Sequence, residues 1–168
     1  MEIINITYIW ILIGLIVFPI NLVYKAPYGK HSTKKWGKSI DNKIGWILME
    51  FPALIICPSV YFIMVDEISF SLVFIFIWIT HYFNRTIIYP LRIKTKGKKI
   101  PVVIVASAFL FNIVNGVLNG YFITLIQLES ISLIYLILGL LIFSTGFFIN
   151  ISSDNILIRL RTNQNGYN

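Results

Sequence analysis

The chain has 168 residues, of which 57% are hydrophobic and 12% charged, and its formal net charge is +7. Its mean hydropathy of +0.80 excludes a water-soluble globular domain, because a chain of this length cannot bury so much apolar side-chain surface. The composition therefore predicts an integral membrane protein.

Five apolar stretches are long enough to cross a hydrocarbon core of about 30 Å, which takes about 20 helical residues. They are Ile3 to Tyr24, Gly45 to Met64, Ser69 to Ile88, Ile100 to Leu128 and Ile131 to Ile151. Each is predicted to be a helix, because open strands would leave backbone groups unpaired in lipid. The fold class that we predict is all-α, a multi-pass transmembrane bundle forming a single domain over residues 1–168. The first stretch lacks a basic start and a small-residue cleavage site, so we expect a retained span and not a signal peptide.

Basic residues are concentrated in alternate connections of this predicted bundle. The first and third connections contain Lys25, Lys30, Lys34, Lys35, Lys38 and Lys43, and Arg92, Lys94, Lys96, Lys98 and Lys99. The second and fourth contain Asp66, Glu67 and Glu129 but no basic residue. By the positive-inside rule, the N-terminus lies outside, and the basic loops and the C-terminal tail lie in the cytoplasm. The net positive charge therefore reflects membrane topology, and we expect no nucleic-acid partner.

An acidic residue, Glu50, interrupts the second apolar stretch. An ionisable group in hydrocarbon costs about 2.5 to 3.5 kcal/mol, so it indicates a function and a partner. The next stretch ends with His81, Tyr82, Asn84 and Arg85. At a rise of 1.5 Å per residue, Glu50 and Tyr82 lie about 8 and 9 Å inside their helices from the cytoplasmic ends. We expect them to face a common cavity that opens to the cytoplasm.

Polar residues on the last two stretches are predicted to line the same cavity. Asn112, Asn115 and Asn119 share one helical face, and Asn150 and Asp154 are one turn apart. Other interpretations remain open. Glu50 can extend to the interface or pair with a loop lysine, or desolvation can keep it protonated as a hydrogen-bond donor. The asparagines can simply bond across helices. His31 and His81 lack the spacing of a metal site, and no Rossmann or P-loop motif is present, so no metal is expected.

Four blocks of residues occur in a characteristic order along the chain. They are Ala26-Pro27-Tyr28-Gly29-Lys30-His31; Gly45-Trp46 with Glu50-Phe51-Pro52; His81-Tyr82-Phe83-Asn84-Arg85-Thr86 with Tyr89-Pro90; and Asn150-Ile151-Ser152-Ser153-Asp154 with Leu157 and Leu160-Arg161. A fifth block, from Asn115 to Tyr121, fits the same order. In this order, the blocks resemble the steroid 5-alpha-reductase family of membrane NADPH-dependent reductases.

The resemblance implies a seven-helix enzyme that transfers a hydride from NADPH to the beta carbon of a conjugated enone, such as carbon 5 of a 3-oxo-4-ene steroid. The catalytic residues it implies are Glu50 and Tyr82, which hydrogen-bond the substrate ketone, with Asn115 as a further substrate contact. The cofactor contacts it implies are Asn150, Asp154, Arg161, Tyr28, Arg85 and Tyr167. The expected partners are a steroid or other lipid and the membrane, and a monomer is compatible with the sequence.

The sequence departs from the family pattern in two places. The loop from Lys94 to Lys99 is rich in lysine where the family has arginine. The chain also stops before an Ile-Pro-x-Gly-Gly turn and two further spans, so we expect it to represent roughly the first two-thirds of an enzyme and to turn over little alone. Two rival functions stay open: reduction of a polyprenol or a trans-2-enoyl thioester, and a small transporter or scaffold that uses Glu50 as an ion relay.

Overall fold

The structure is a computed structural model that describes residues 3–23, 36–95, 97–127 and 131–163, without the side chains of 161–163. The described helices are α1 (Ile3–Val23), α2 (Asn42–Met64), α3 (Leu72–Phe83), α4 (Tyr89–Arg92), α5 (Val102–Thr124) and α6 (Leu133–Asn163). A π-helical turn, Asn84–Ile88, joins α3 to α4 without a break. Two three-residue strands, β1 (Ser39–Asp41) and β2 (Lys99–Pro101), complete the described elements.

The predicted fold class is confirmed. Within the described residues, five helical spans are long and apolar enough to cross a membrane: Ile3–Val23, Asn42–Met64, Leu72–Arg92, Val102–Thr124 and Leu133–Leu160. The protein is therefore a multi-pass helical membrane protein.

Several predicted span limits are wrong, for local reasons. The second span starts at Asn42 instead of Gly45, because the Asp41 carboxylate accepts hydrogen bonds from the backbone N–H groups of Lys43 (2.8 Å) and Ile44 (3.2 Å) and so caps the helix. The third starts at Leu72 instead of Ser69, because residues 69–71 form a turn. The fifth continues beyond Ile151 to Asn163, since no glycine or proline interrupts that segment.

The two strands were not predicted. They pair antiparallel, with Ser39 opposite Pro101, Ile40 opposite Ile100 and Asp41 opposite Lys99. The ladder takes Ile100 and Pro101 out of the predicted fourth span, so α5 begins at Val102. Because β1 leads directly into α2 and β2 into α5, this small sheet holds the first turns of both helices at one level. Glu50 and Asn112 then lie at similar depths, eight and ten residues into their helices.

Glycines on α5 allow a close approach to α2. A Cβ atom built on Gly120 would lie 2.6 Å from the carbonyl oxygen of Cys57 and 2.9 Å from Cβ of Val60. One turn earlier, a Cβ on Gly116 would lie 3.1 Å from Cβ of Ile56. Small residues spaced by four are a common means of packing membrane helices at short range. The α2–α5 pair is therefore the tightly packed centre of the bundle.

We expect Gly120→Ala to lower the free energy of unfolding by about 1 to 3 kcal/mol, because the added methyl would meet backbone that cannot move away cheaply. Thermal unfolding in detergent measures the change. Gly146→Ala on α6 is the matched control, since a Cβ atom at that position would have no described atom within 4 Å. Equal stability of the two variants would contradict this account of the helix contact.

The first and last spans lie at the periphery of the described bundle, and in both of them the most hydrophobic window has no buried residue. A ring contact between Trp10 and Phe111, with centroids 5.3 Å apart, connects α1 to α5. Helix α6 contacts α3 through Phe147 and His81, with ring centroids 6.0 Å apart. Its polar end meets the π-helical turn and contributes to the candidate site.

Candidate active site

The π-helical turn gives Arg85 its place at the centre of the polar cluster. The hydrogen bond that defines this turn is donated by the Tyr89 backbone N–H to the Asn84 carbonyl, five residues earlier in the chain. Turns of this kind are rare and often occur at functional sites. Cζ of Arg85 lies 4.8 Å from the ring centroid of Trp46 and 4.9 Å from that of Tyr89. The guanidinium is therefore held against two aromatic rings by cation–π attraction.

Arg85 also joins two carboxylates from different spans. Its Nη1 donates to Oδ2 of Asp154 at 3.1 Å, and its Nη2 lies 3.6 Å from Oε1 of Glu50. The three side chains are only 10 to 17% exposed. In the described part of the chain, the partner of Glu50 is thus an arginine of the next span and not a loop lysine. This triad connects α2, the π-helical turn and α6.

Of the three predicted asparagines, Asn112 and Asn115 bond across helices, and Asn119 bonds to Asn115 within α5. Nδ2 of Asn112 donates to the backbone carbonyl of Met49 at 2.7 Å, next to Glu50 in the chain. Nδ2 of Asn115 donates to the hydroxyl oxygen of Tyr82 at 3.3 Å. Nδ2 of Asn119 donates to the backbone carbonyl of Asn115 at 2.8 Å and to its Oδ1 at 3.0 Å.

These bonds set the direction of the Tyr82 hydroxyl group. Because Asn119 occupies Oδ1 of Asn115, the Asn115 amide turns its N–H groups toward Tyr82. The Tyr82 oxygen then accepts a hydrogen bond, and its own O–H remains able to donate to another group. Trp78 supports the same ring, with centroids 4.6 Å apart, and its indole N–H donates to the Ala53 carbonyl at 2.7 Å.

Tyr82 lines an apolar cavity of about 510 Å³ between α3, α5 and α6. His81 and Asn119 lie at the same polar end, and Phe74, Ile142 and Phe147 are among the apolar lining residues. Glu50 is not among the described residues that line this cavity. The prediction that Glu50 and Tyr82 face a common cavity is therefore wrong for this cavity.

The predicted cofactor contacts are only partly described. Asn150 and Asp154 are one turn apart on α6, and Asp154 bonds to Arg85. Tyr28, Tyr167 and the side chain of Arg161 lie outside the described residues.

Three buried polar atoms of the described side chains lack a hydrogen-bond partner: Nε1 of Trp46, Oγ1 of Thr86 and Oδ1 of Asn150. Leaving such a group unpaired costs about 1 to 3 kcal/mol, and the unpaired donor of Trp46, whose ring contacts Arg85, suits a polar ligand. Trp46 and Thr86 were not predicted as site residues. The signal that could have found Trp46 is its position one helical turn before Glu50.

Comparison with known proteins identifies the family. The family model described as 3-oxo-5-alpha-steroid 4-dehydrogenase matches residues 98–168. The protein named Steroid 5-alpha-reductase DET2 from Arabidopsis thaliana is 34% identical over 154 residues, which cover 85% of this chain and 59% of the relative. The chain belongs to the steroid 5-alpha-reductase family.

Other members of the steroid 5-alpha-reductase family match over a similar range. The protein named 3-oxo-5-alpha-steroid 4-dehydrogenase 2 from Sus scrofa is 32% identical over 142 residues, covering 80% of this chain and 55% of the relative. The human protein of the same name is 29% identical over 161 residues, which cover 89% of this chain and 61% of the relative. The predicted family is thus confirmed, and the chain spans about 59% of the length of the first curated relatives that it matches.

Proposed function

We propose that the native protein containing this chain reduces the carbon–carbon double bond of a 3-oxo-4-ene steroid or a similar enone lipid, with NADPH as the hydride donor. The names of the relatives support the class of reaction. One observation carries the proposal to this site: the Tyr82 hydroxyl, already fixed by Asn115, lies at the polar end of an apolar cavity. The cavity volume of about 510 Å³ is within the usual range for small-molecule sites, about 300 to 1,000 Å³.

The proposed role of Tyr82 follows from where charge develops. Hydride addition at the beta carbon moves negative charge onto the ketone oxygen, which becomes an enolate oxygen, and a proton from solvent then adds to the alpha carbon to give the saturated ketone. A donor already aimed at that oxygen in a dry site stabilises the charge without having to reorganise. Tyr82 donates this hydrogen bond, and Asn115 and Asn119 orient Tyr82. Because of the family resemblance, Glu50 is proposed as a second donor to the ketone, a role that requires its protonated form instead of the carboxylate that pairs with Arg85. Arg85 positions Glu50 and is a structural partner of both carboxylates.

The residues that would hold the cofactor are those around Arg85. Asn150 offers an unpaired acceptor and Trp46 an unpaired donor, both buried, so the chemistry of this region fits a polar ligand. Arg161, Tyr28 and Tyr167 are proposed as further contacts because of the family resemblance. NADPH supplies the hydride, while the protein binds and orients both reactants.

We also propose that the basic loops and the small sheet lie in the cytoplasm, with the N-terminus outside. The charges that support this orientation are on the side that carries β1 and β2, at Lys38, Lys43, Lys98 and Lys99. A cytoplasmic opening would give the site access to a soluble nucleotide.

A deuterium-transfer assay tests the proposed function. Native protein in lipid nanodiscs is incubated with 4-androstene-3,17-dione and NADPH deuterated at the transferable position. We expect a saturated ketone with deuterium at carbon 5. Absence of reduction by the native protein, together with ion flux in proteoliposomes that does not require nicotinamide, would favour the rival ion relay instead.

A further inference from the structure

A second apolar cavity continues the first one along α6. It has a volume of about 250 Å³ and shares Phe74, Ile77 and Phe143 with the larger cavity. From there it extends to Tyr135 near the start of the helix. The distance along α6 from Phe147 to Tyr135 is about 18 Å at 1.5 Å per residue. The two cavities therefore form one long groove between α3 and α6.

Two glycines create the depth of this groove. Gly146 lines the first cavity and Gly139 the second, and they lie seven residues apart on one face of α6. A Cβ atom on either would meet no described atom within 4 Å. Gly116 and Gly120 differ, because a Cβ there would be in contact with α2. Gly139 and Gly146 thus leave room for a ligand instead of permitting helix contact.

The groove is polar at one end only. Tyr82, His81 and Asn119 line the end nearest the proposed reaction centre. The second cavity is lined by apolar groups apart from Tyr135, which is 74% exposed. A ligand that matches this pattern has one hydrogen-bonding head and an extended hydrocarbon tail. The first cavity alone is large enough for a fused ring system, so the second provides additional space for a tail.

We propose that the second cavity binds the aliphatic tail of an elongated enone lipid whose ketone meets Tyr82, and that the site selects tailed enones over tail-less ones. This specificity rests on the proposed function, because the ketone at Tyr82 fixes the position of the head. The side chains at positions 139 and 146 set the length of tail that the groove accepts.

Photo-crosslinking tests the position of the tail without requiring turnover. The probe is a 3-oxo-4-ene steroid with a diazirine at the end of an aliphatic side chain on carbon 17, added to native protein in nanodiscs. We expect labelled peptides from residues 131–140. We also expect an unlabelled tailed enone to compete at a concentration at least tenfold lower than 4-androstene-3,17-dione.

Substitutions on α6 test the specificity. Gly139→Phe should weaken competition by the tailed enone at least tenfold while changing that of 4-androstene-3,17-dione less than twofold, and Gly146→Phe should weaken both. Leu141→Phe is the matched control, since Leu141 is 58% exposed and lies outside both cavities, and it should change neither.

Several results would overturn the tail site. One is labelling found only outside residues 131–140. Another is equal labelling by a probe without the enone, which would indicate that the cavity binds a membrane acyl chain. A third is an equal effect of Gly139→Phe on competition by both enones. If carbon 5 still acquires deuterium in such a case, the tail site alone is wrong. If the native protein reduces neither enone, the proposed function fails as well.

Discussion

Tyr82→Phe is expected to lower the rate constant for enone reduction by the native protein about 100- to 1000-fold, the usual loss when one donor to a developing oxyanion is removed. The ring would keep its contacts with Trp78 and His81, so the fold and the cavity should be preserved. The hydrogen bond is strongest when charge is on the ketone oxygen. We therefore expect kcat to fall far more than substrate affinity.

Steady-state kinetics with 4-androstene-3,17-dione and NADPH measure this effect, and thermal unfolding checks that the variant is folded. Tyr8→Phe is the matched control, because Tyr8 on α1 is 67% exposed and should tolerate loss of its hydroxyl. Asn115→Leu should cause a smaller loss of kcat, since it removes only the group that orients Tyr82. A Tyr82→Phe enzyme within threefold of the native rate would exclude Tyr82 as the ketone donor.

Arg85→Leu is expected to cause a large loss of stability, about 3 to 5 kcal/mol in the free energy of unfolding. The substitution would leave Glu50 and Asp154, both largely buried, without their shared cation. It would also remove the cation–π contacts with Trp46 and Tyr89. Thermal or denaturant unfolding in detergent measures the loss.

Arg92→Leu provides the matched control for this prediction. Arg92 is exposed and bonds to Asn155, so its loss should cost about 1 kcal/mol or less. Adding Glu50→Gln and Asp154→Asn to Arg85→Leu should restore part of the stability, because neutral amides do not need a counter-ion. If Arg85→Leu were no more harmful than Arg92→Leu, the buried triad would not be a stabilising feature.

The sequence predicted the number of spans and their approximate positions, because a bilayer requires long apolar segments and composition records them directly. It did not predict β1 and β2. Their pairing joins Ser39–Asp41 to Lys99–Pro101, about sixty residues apart, and three-residue strands contain too little pattern to indicate a partner. The early start of α2 was missed because it depends on the Asp41 cap, a local contact that hydropathy does not register.

Within the site, polarity in an apolar span indicated which residues would cluster, but not which would bond. That one arginine serves both Glu50 and Asp154 depends on how α6 lies against the π-helical turn, which periodicity cannot specify. The same applies to Trp46, whose ring meets Arg85 only once α2 has packed. The roles proposed for Tyr28, Arg161 and Tyr167 stay predictions, since their side chains lie outside the described residues.

The turn at Asn84–Ile88 contains one residue more than an ordinary helical turn. This extra residue rotates the side chains of the following residues by about 100° around the helix axis. Tyr89 meets Arg85, and Arg92 meets Asn155, in that advanced orientation. A homologue that had lost this single residue would keep its hydropathy profile and yet direct both side chains to other neighbours. A one-residue gap at this point in an alignment would therefore mark an evolutionary branch whose site is built differently.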